Sequence, residues 1–270
     1  MTAVADPYAE ARPAPAYRFL YALNPLAKFA APLPAMVVLA LVRDLATPLA
    51  FVALAYLVVI VGARWTWRLW AILLVAVPLG VLLVGVGMSL WVDAARVAGT
   101  APALEVGGWT LYTGALQIGM ATALRLGAIV ALALMAGLTT TGPDLVRALV
   151  QQLRVPYRVG YTALAAFRFV PRFRYELDVI RQAHRVRGSH GGRGPFAAIA
   201  RWSGYIVPLL AGAIRHAERV ALAMDSRAFG AYPDRTERHL VPWRVRDTVF
   251  VLVFWAITVA LFVVLAPWSA

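Results

Sequence analysis

The side chains best equipped for chemistry in this chain are arginines, and their chemistry is binding rather than reaction. Two runs stand out: Ala183-His184-Arg185-Val186-Arg187-Gly188 and Ala223-Met224-Asp225-Ser226-Arg227-Ala228-Phe229-Gly230. A guanidinium offers a planar fork of donors that suits a carboxylate or a phosphate. Each run closes a helical pattern. An arginine in a last helical turn is favoured by the helix dipole, and a glycine beyond it can take the left-handed cap. The residues alone leave two readings open: a pair of ordinary helix ends, or two arginines presented to acidic grooves on a partner. Arg125 is a third candidate, because it lies inside an apolar run. There it must face a protein interior, a cavity or a partner. We read it as a structural lock to a carbonyl or carboxylate, with substrate contact or a subunit interface as alternatives.

Other reactive groups are sparse. Cysteine is absent, which removes thiol nucleophiles and cysteine metal sites. His184, His190, His216 and His239 form no local ligand pattern, so no metal is expected. Asp178, Glu218 and Asp225 are read as ion-pair partners of nearby arginines. The chain has no GxxxxGK[ST] loop, no HExxH and no glycine-rich dinucleotide loop. No catalytic residue, no bound cofactor and no enzymatic activity are expected. Charge alone would allow nucleic acid or anionic lipid, but no nucleic-acid motif is present and no such partner is expected.

The elements that must position these arginines follow from hydropathy. The 270 residues are 61% hydrophobic and 14% charged, with long stretches nearly free of charge. Soluble domains carry about 25% charge. Runs near 20 residues predict membrane helices rather than barrel strands. Residues 1–20 read as a disordered arm without a signal-peptide pattern. Residues 21–138 read as a membrane domain with four spans, at about 28–41, 45–61, 69–90 and 111–138. Asn24 caps the first and Pro25 suits its first position. Arg43-Asp44 reads as a tight turn, Arg64 to Trp70 as a basic aromatic interface, and 91–109 as a loop. Gly80, Gly85 and Gly87 could permit close helix approach. Residues 247–270 read as a final span ending at Pro267-Trp268.

Between these lies a basic segment, 139–246, with 18 arginines against seven acids, or +11 of the chain's +13. Thr141-Gly142-Pro143-Asp144 signals a short helix to about Leu153. A second helix is predicted over 157–187, kinked at Pro171. Its apolar stripe includes Phe167, Val170, Phe173 and Leu177. Arg174 or Arg181 can pair with Asp178. A glycine-rich linker, 188–195, leads to a third helix over 196–227, with Leu209, Val220 and Met224 along one side. Both long helices are more apolar than a solvated helix needs. The positive-inside rule places the N-terminus and the basic segment inside and the C-terminus outside. The predicted fold is an all-α polytopic membrane protein. It has about five transmembrane helices and a cytoplasmic domain of one short and two long helices.

These stretches resemble the transmembrane T component of energy-coupling factor transporters, the group that includes cobalt- and biotin-type systems. The similar pieces are Asn24-Pro25-Leu26-Ala27-Lys28, Leu124-Arg125-Leu126 and Thr139-Thr140-Thr141. They continue through Asp144 to Leu149, Leu153 to Pro156, Phe167 to Pro171, and the two arginine runs. The family signature is Ala-Arg-Gly or a close variant. Here Val186 stands in place of alanine before Arg187, and Ser226 and Ala228 flank Arg227. The resemblance implies a coupling subunit of an importer in the bacterial cytoplasmic membrane. Two ATP-binding-cassette ATPases, identical or paralogous, would dock on Arg187, Gly188 and Arg227 and use ATP themselves. A small substrate-binding membrane protein, the S component, would meet Phe167, Val170, Phe173, Leu177, Leu209, Val220 and Met224. Asn24, Pro25, Lys28 and Arg125 would be structural. The cargo, a vitamin or a metal ion, would be chosen by the S component. The rival reading is a stand-alone secondary transporter, which would call for matched half-repeats or broken helices around a midplane site.

Overall fold

The computed structural model describes residues 18–42, 44–64, 66–97, 99–106, 109–188, 194–233 and 236–265. Most of the expected N-terminal arm, Arg43 of the first turn, Trp65, residues 189–193 of the linker and the terminal Pro267-Trp268 lie outside the described residues. The chain forms two compact units. Within the described residues, one is 149–240 and the other joins 18–148 with 241–265.

The second unit begins with α1 (Phe19–Ala22), α2 (Pro25–Ala30) and α3 (Leu33–Leu39). The first expected span is therefore two short helices. Pro32 and Pro34 break the ladder, since neither can donate a backbone hydrogen bond. Neighbours take up the freed carbonyls. The Trp255 indole donates to Ala30 O at 3.3 Å, where Pro34 cannot. Then α4 (Ala46–Gly62) starts at Asp44, whose Oδ2 accepts from the Thr47 amide and hydroxyl at 2.8 Å each.

The third span is α5 (Trp67–Ala71), a π-helical stretch Ile72–Ala76, and α6 (Val77–Ser89). The wide turn precedes Pro78, whose ring would clash with the carbonyl four residues back in a regular helix. A short α7 (Ala94–Val97) and an antiparallel hairpin, β1 (Pro102–Val106) with β2 (Trp109–Tyr112), occupy what was expected to be loop. Gly107-Gly108 between two alternating runs was the available hairpin signal.

The long helix α8 (Thr113–Thr139) packs against α6, α4, α2 and α3. Small residues let α6 and α8 approach. A methyl group on Gly119 would stand 2.6 Å from the Gly85 carbonyl oxygen, and one on Gly85 would collide with Met120. Gly80 and Gly87 face open space, so only Gly85 of the three candidates serves this contact. The core around Leu20, Leu39, Phe51, Leu73, Leu132 and Met135 is closed by α12 (Val245–Leu265).

The basic segment contributes α9 (Gly142–Gln152), α10 (Tyr157–Val186) and α11 (Pro195–Asp225). Thr141 caps α9. Its hydroxyl donates to Asp144 at 2.6 Å and accepts from the Asp144 amide at 3.3 Å. Helices α10 and α11 each run on through an internal proline, Pro171 and Pro208. Among the described residues, four helical stretches are long and apolar enough to cross a membrane: Leu69–Ser89, Thr113–Thr139, Phe196–Asp225 and Val245–Leu265. Pro25–Leu39 and Ala46–Gly62 are shorter apolar helices. The chain is an all-α polytopic membrane protein. The Phe196–Asp225 stretch matches the spans in length, although it carries Arg201, Arg215, Glu218, Arg219 and Asp225.

Candidate docking sites at two helix ends

The two arginine runs end their helices with the same backbone device. Arg187 caps α10, and Gly188 follows at φ +69° with its amide donating to Arg185 O at 3.1 Å. After α11, Ser226 and Arg227 continue the turn, and Ala228 takes φ +54°. Its amide donates to Asp225 O at 2.9 Å, and the Phe229 amide reaches back to Met224 O at 3.0 Å. That bond pair is a Schellman closure, in which one residue must be left-handed. In both ends the arginine immediately precedes the left-handed residue. Alanine accepts this conformation at a cost of about 1–2 kcal/mol that glycine avoids. Both guanidinium side chains are exposed. Among the described residues neither makes a side-chain hydrogen bond or ion pair. Arg154, at the end of α9, is a third left-handed residue at φ +53°.

Helices α10 and α11 are antiparallel. His184 meets Tyr205 edge-on at 5.2 Å, and the Arg181 guanidinium lies over the Trp202 ring at 5.5 Å. Further along, Phe169 meets His216 at 4.5 Å, and Tyr157 and Tyr161 meet Phe229 at 5.7 and 6.2 Å. The antiparallel order puts Arg187 and Arg227 at opposite ends of the pair. At about 1.5 Å of rise per residue, the 30 residues of α10 separate them by about 45 Å.

The Arg227 end is fastened. Arg158 donates to Gly230 O at 2.5 Å, Tyr157 to Tyr232 O at 2.6 Å and Tyr161 to a Glu237 carboxylate oxygen at 2.7 Å. Gln151 donates to His239 O at 2.9 Å. Sequence reading missed this clamp, because its bonds join residues more than 70 positions apart and four of its partners are backbone carbonyls or a single acid. Asp178 pairs with Arg181 at 3.2 Å, the alternative to Arg174, and Arg172 pairs with Glu176 at 3.2 Å.

The apolar residues separate into two sets. Phe167 and Val170 are exposed, while Phe173, Leu177, Leu209, Val220 and Met224 are half-buried. The most exposed apolar row lies on α11 at Phe196, Ile199, Ile206, Val207, Leu210 and Ile214, with Phe196 85% and Val207 73% exposed. The spacing of three and four was visible in the sequence. Which of two apolar rows faces the neighbouring helix was not.

The other named residues sit in the second unit. Asn24 accepts the Leu26 amide at 2.9 Å as the cap of α2, with Pro25 next, and its own amide donates to Asp247 Oδ1 at 2.7 Å. The Lys28 amine is buried and donates to Thr139 O at 2.7 Å, at the end of α8. Arg125 donates to Ala40 O at 3.1 Å, beyond the broken end of α3, and to the Thr122 hydroxyl at 3.3 Å. No group of three or more metal-binding side chains occurs among the described residues.

The chain matches the CbiQ family, described as cobalt transport protein, over residues 16–239. It is similar to the energy-coupling factor transporter transmembrane protein EcfT of Staphylococcus aureus, 32% identical over 168 residues, covering 59% of this chain and 63% of that one. The corresponding EcfT of Thermotoga maritima is 36% identical over 100 residues, 37% of each chain. A putative ABC transporter ATP-binding protein of Bifidobacterium longum is 28% identical over 258 residues, 92% of this chain and 32% of that longer one. The chain spans less than two thirds of the length of the EcfT relatives it matches. The family match over most of the chain makes this apolar-helix protein a member of the CbiQ family, to which its similarity to energy-coupling factor transporter transmembrane proteins also points.

Proposed function

We propose that this chain is the non-catalytic coupling subunit of an energy-coupling factor importer. Two cytosolic ABC ATPases, identical or paralogous, dock on it, one at Arg187-Gly188 and one at Arg227. The observation that carries this reading is the repeated device: two exposed guanidinium groups, each just before a left-handed residue, about 45 Å apart at opposite ends of one antiparallel helix pair. An acidic groove on each ATPase supplies the partner that each arginine lacks within the described chain. The Bifidobacterium longum relative supports an ATPase partner, since its similar region is about a third of a chain named as an ATP-binding protein.

The apolar row on α11, together with Phe167 and Val170, meets a small substrate-binding membrane protein. Phe173, Leu177, Leu209, Val220 and Met224 support that surface from behind. Closure of the ATPases on ATP moves the helix pair, and the pair passes that motion to the membrane partner, which selects a vitamin or metal ion. The chain itself binds no cofactor or metal and hydrolyses nothing. It lies in the bacterial cytoplasmic membrane with its N-terminus and basic segment inside and its C-terminus outside. Asn24, Pro25, Lys28 and Arg125 hold helix ends in the membrane unit. Reconstitution tests the reading. Liposomes holding this chain alone should neither hydrolyse ATP nor take up substrate, and adding the ATPases and the S component should give ATP-dependent uptake. Uptake by the chain alone would overturn it in favour of a secondary transporter.

A further inference from the structure

A groove of about 620 Å³ opens on the membrane unit between α1 and the first turns of α12. That volume lies within the range of about 300–1,000 Å³ typical of ligand sites. Its walls are Phe19, Ala22 and Leu23 on one side and Val245, Val249, Phe250 and Val253 on the other, with Arg246 as the charged residue of the lining. The apolar wall follows α12 from Val245 to Val253, eight steps or about 12 Å, into a helix that has no charge after Asp247. The groove therefore runs from the head of an apolar span toward its middle.

The polar groups gather at the head. The Arg246 guanidinium donates to Ala22 O and keeps further donors, since the group has five N–H bonds. Arg244 is exposed two residues away, and Arg18 precedes Phe19. The nearby acid is turned inward. Asp247 is fully buried, and its two oxygens accept the Asn24 and Arg244 amides at 2.7 Å each. Trp243, whose indole donates to the Thr248 hydroxyl at 2.8 Å, is the amphipathic aromatic expected at a membrane interface. An apolar trough with a cationic mouth, at the start of a membrane span, is complementary to a molecule with an acyl chain and an anionic head.

We propose that this groove holds one anionic phospholipid, with an acyl chain along Val245, Val249 and Val253 and its phosphate on Arg246. A cationic residue near the headgroup plane is worth about a fivefold preference for the anionic lipid. The purified full-length protein, in detergent micelles doped with phosphatidylglycerol or with phosphatidylcholine of the same chains, should retain the first over the second by at least about fivefold in native mass spectrometry. Arg246→Gln should erase that preference, Val249→Trp should lower retention of both lipids by filling an exposed part of the trough, and Arg215→Gln in α11 should change neither. Glycerol phosphate without acyl chains should displace nothing. Equal retention of the two lipids by the wild-type chain would overturn the proposal whether or not any variant folds. So would displacement by glycerol phosphate, or a photocrosslinker at position 249 that captures a protein partner in membranes and no lipid.

Discussion

The two arginine ends share a backbone device and differ in how they are held. At the Arg227 end, Gly230, Tyr232, Glu237 and His239 meet α10 and the end of α9 through Arg158, Tyr157, Tyr161 and Gln151. Phe229 is wedged between two tyrosine rings there. At the Arg187 end, the last ring contacts among the described residues are His184 on Tyr205 and Arg181 on Trp202. Beyond them Val186 is 89% exposed. Among the described residues, one guanidinium is thus offered beside a clamp of long-range hydrogen bonds and the other from a helix end that shows no such bonds. A braced donor has lost part of its conformational freedom before it binds, so less is lost on docking. The clamped end also compensates for a poorer residue. Ala228 holds a left-handed conformation that glycine adopts freely at 188, and just beyond it lie the Arg158 bond to Gly230 O and the two tyrosine contacts of Phe229.

The largest effect should come from removing both arginines. Arg187→Ala with Arg227→Ala should abolish co-purification of the ATPases, a loss of at least about 100-fold at 2–5 kcal/mol per buried charge contact, while the chain stays helical by circular dichroism. Full ATPase retention would remove the docking reading at both ends. The single variants sharpen the comparison. Arg227→Ala should weaken ATPase binding more than Arg187→Ala, each by about 30-fold or more, and equal losses would deny the brace any part in binding. Next, Arg158→Gln should speed amide exchange across residues 229–233 by about tenfold, from loss of one charge-assisted hydrogen bond. Exchange near the end of α10 should stay unchanged. The smallest effects are a pair of opposite sign. Ala228→Gly should stabilise the protein by about 0.5–1 kcal/mol. Gly188→Ala should destabilise it by about 1–2 kcal/mol, each read as a shift of about 2–4 °C per kcal/mol in melting temperature. Two shifts of the same sign would break the claim that the ends share one geometry.

Much of the fold was legible because hydropathy is a local property. The helices at 46–62, 69–89 and 245–265 lie within a few residues of the runs that predict them. The Thr141 start of α9 also follows from near neighbours. What was not legible depended on distant ones. The break of the first span at Pro32 and Pro34 needs Trp255 to occupy the Ala30 carbonyl, and the end of α3 needs Arg125 on the Ala40 carbonyl. The hairpin of Pro102–Val106 with Trp109–Tyr112 had only the Gly-Gly pair as its signal, in a stretch that charge and length marked as loop. The close approach of α6 and α8 was suggested at three glycines and occurs at Gly85, against Gly119, which no spacing rule picked out.

The sequence by itself determined the membrane class, the concentration of positive charge in one segment and the placing of arginines at two helix ends. Composition, periodicity and capping act over a turn or a span, so those features need no knowledge of neighbours. Tertiary structure decided which end is braced, which apolar row of α11 stays exposed and that the two arginines point to opposite ends of one pair. Each of these depends on the antiparallel register of α10 against α11, and that register is set by side chains 20 to 80 residues apart. A periodic pattern gives the faces of a helix; only its neighbour selects which of them is covered.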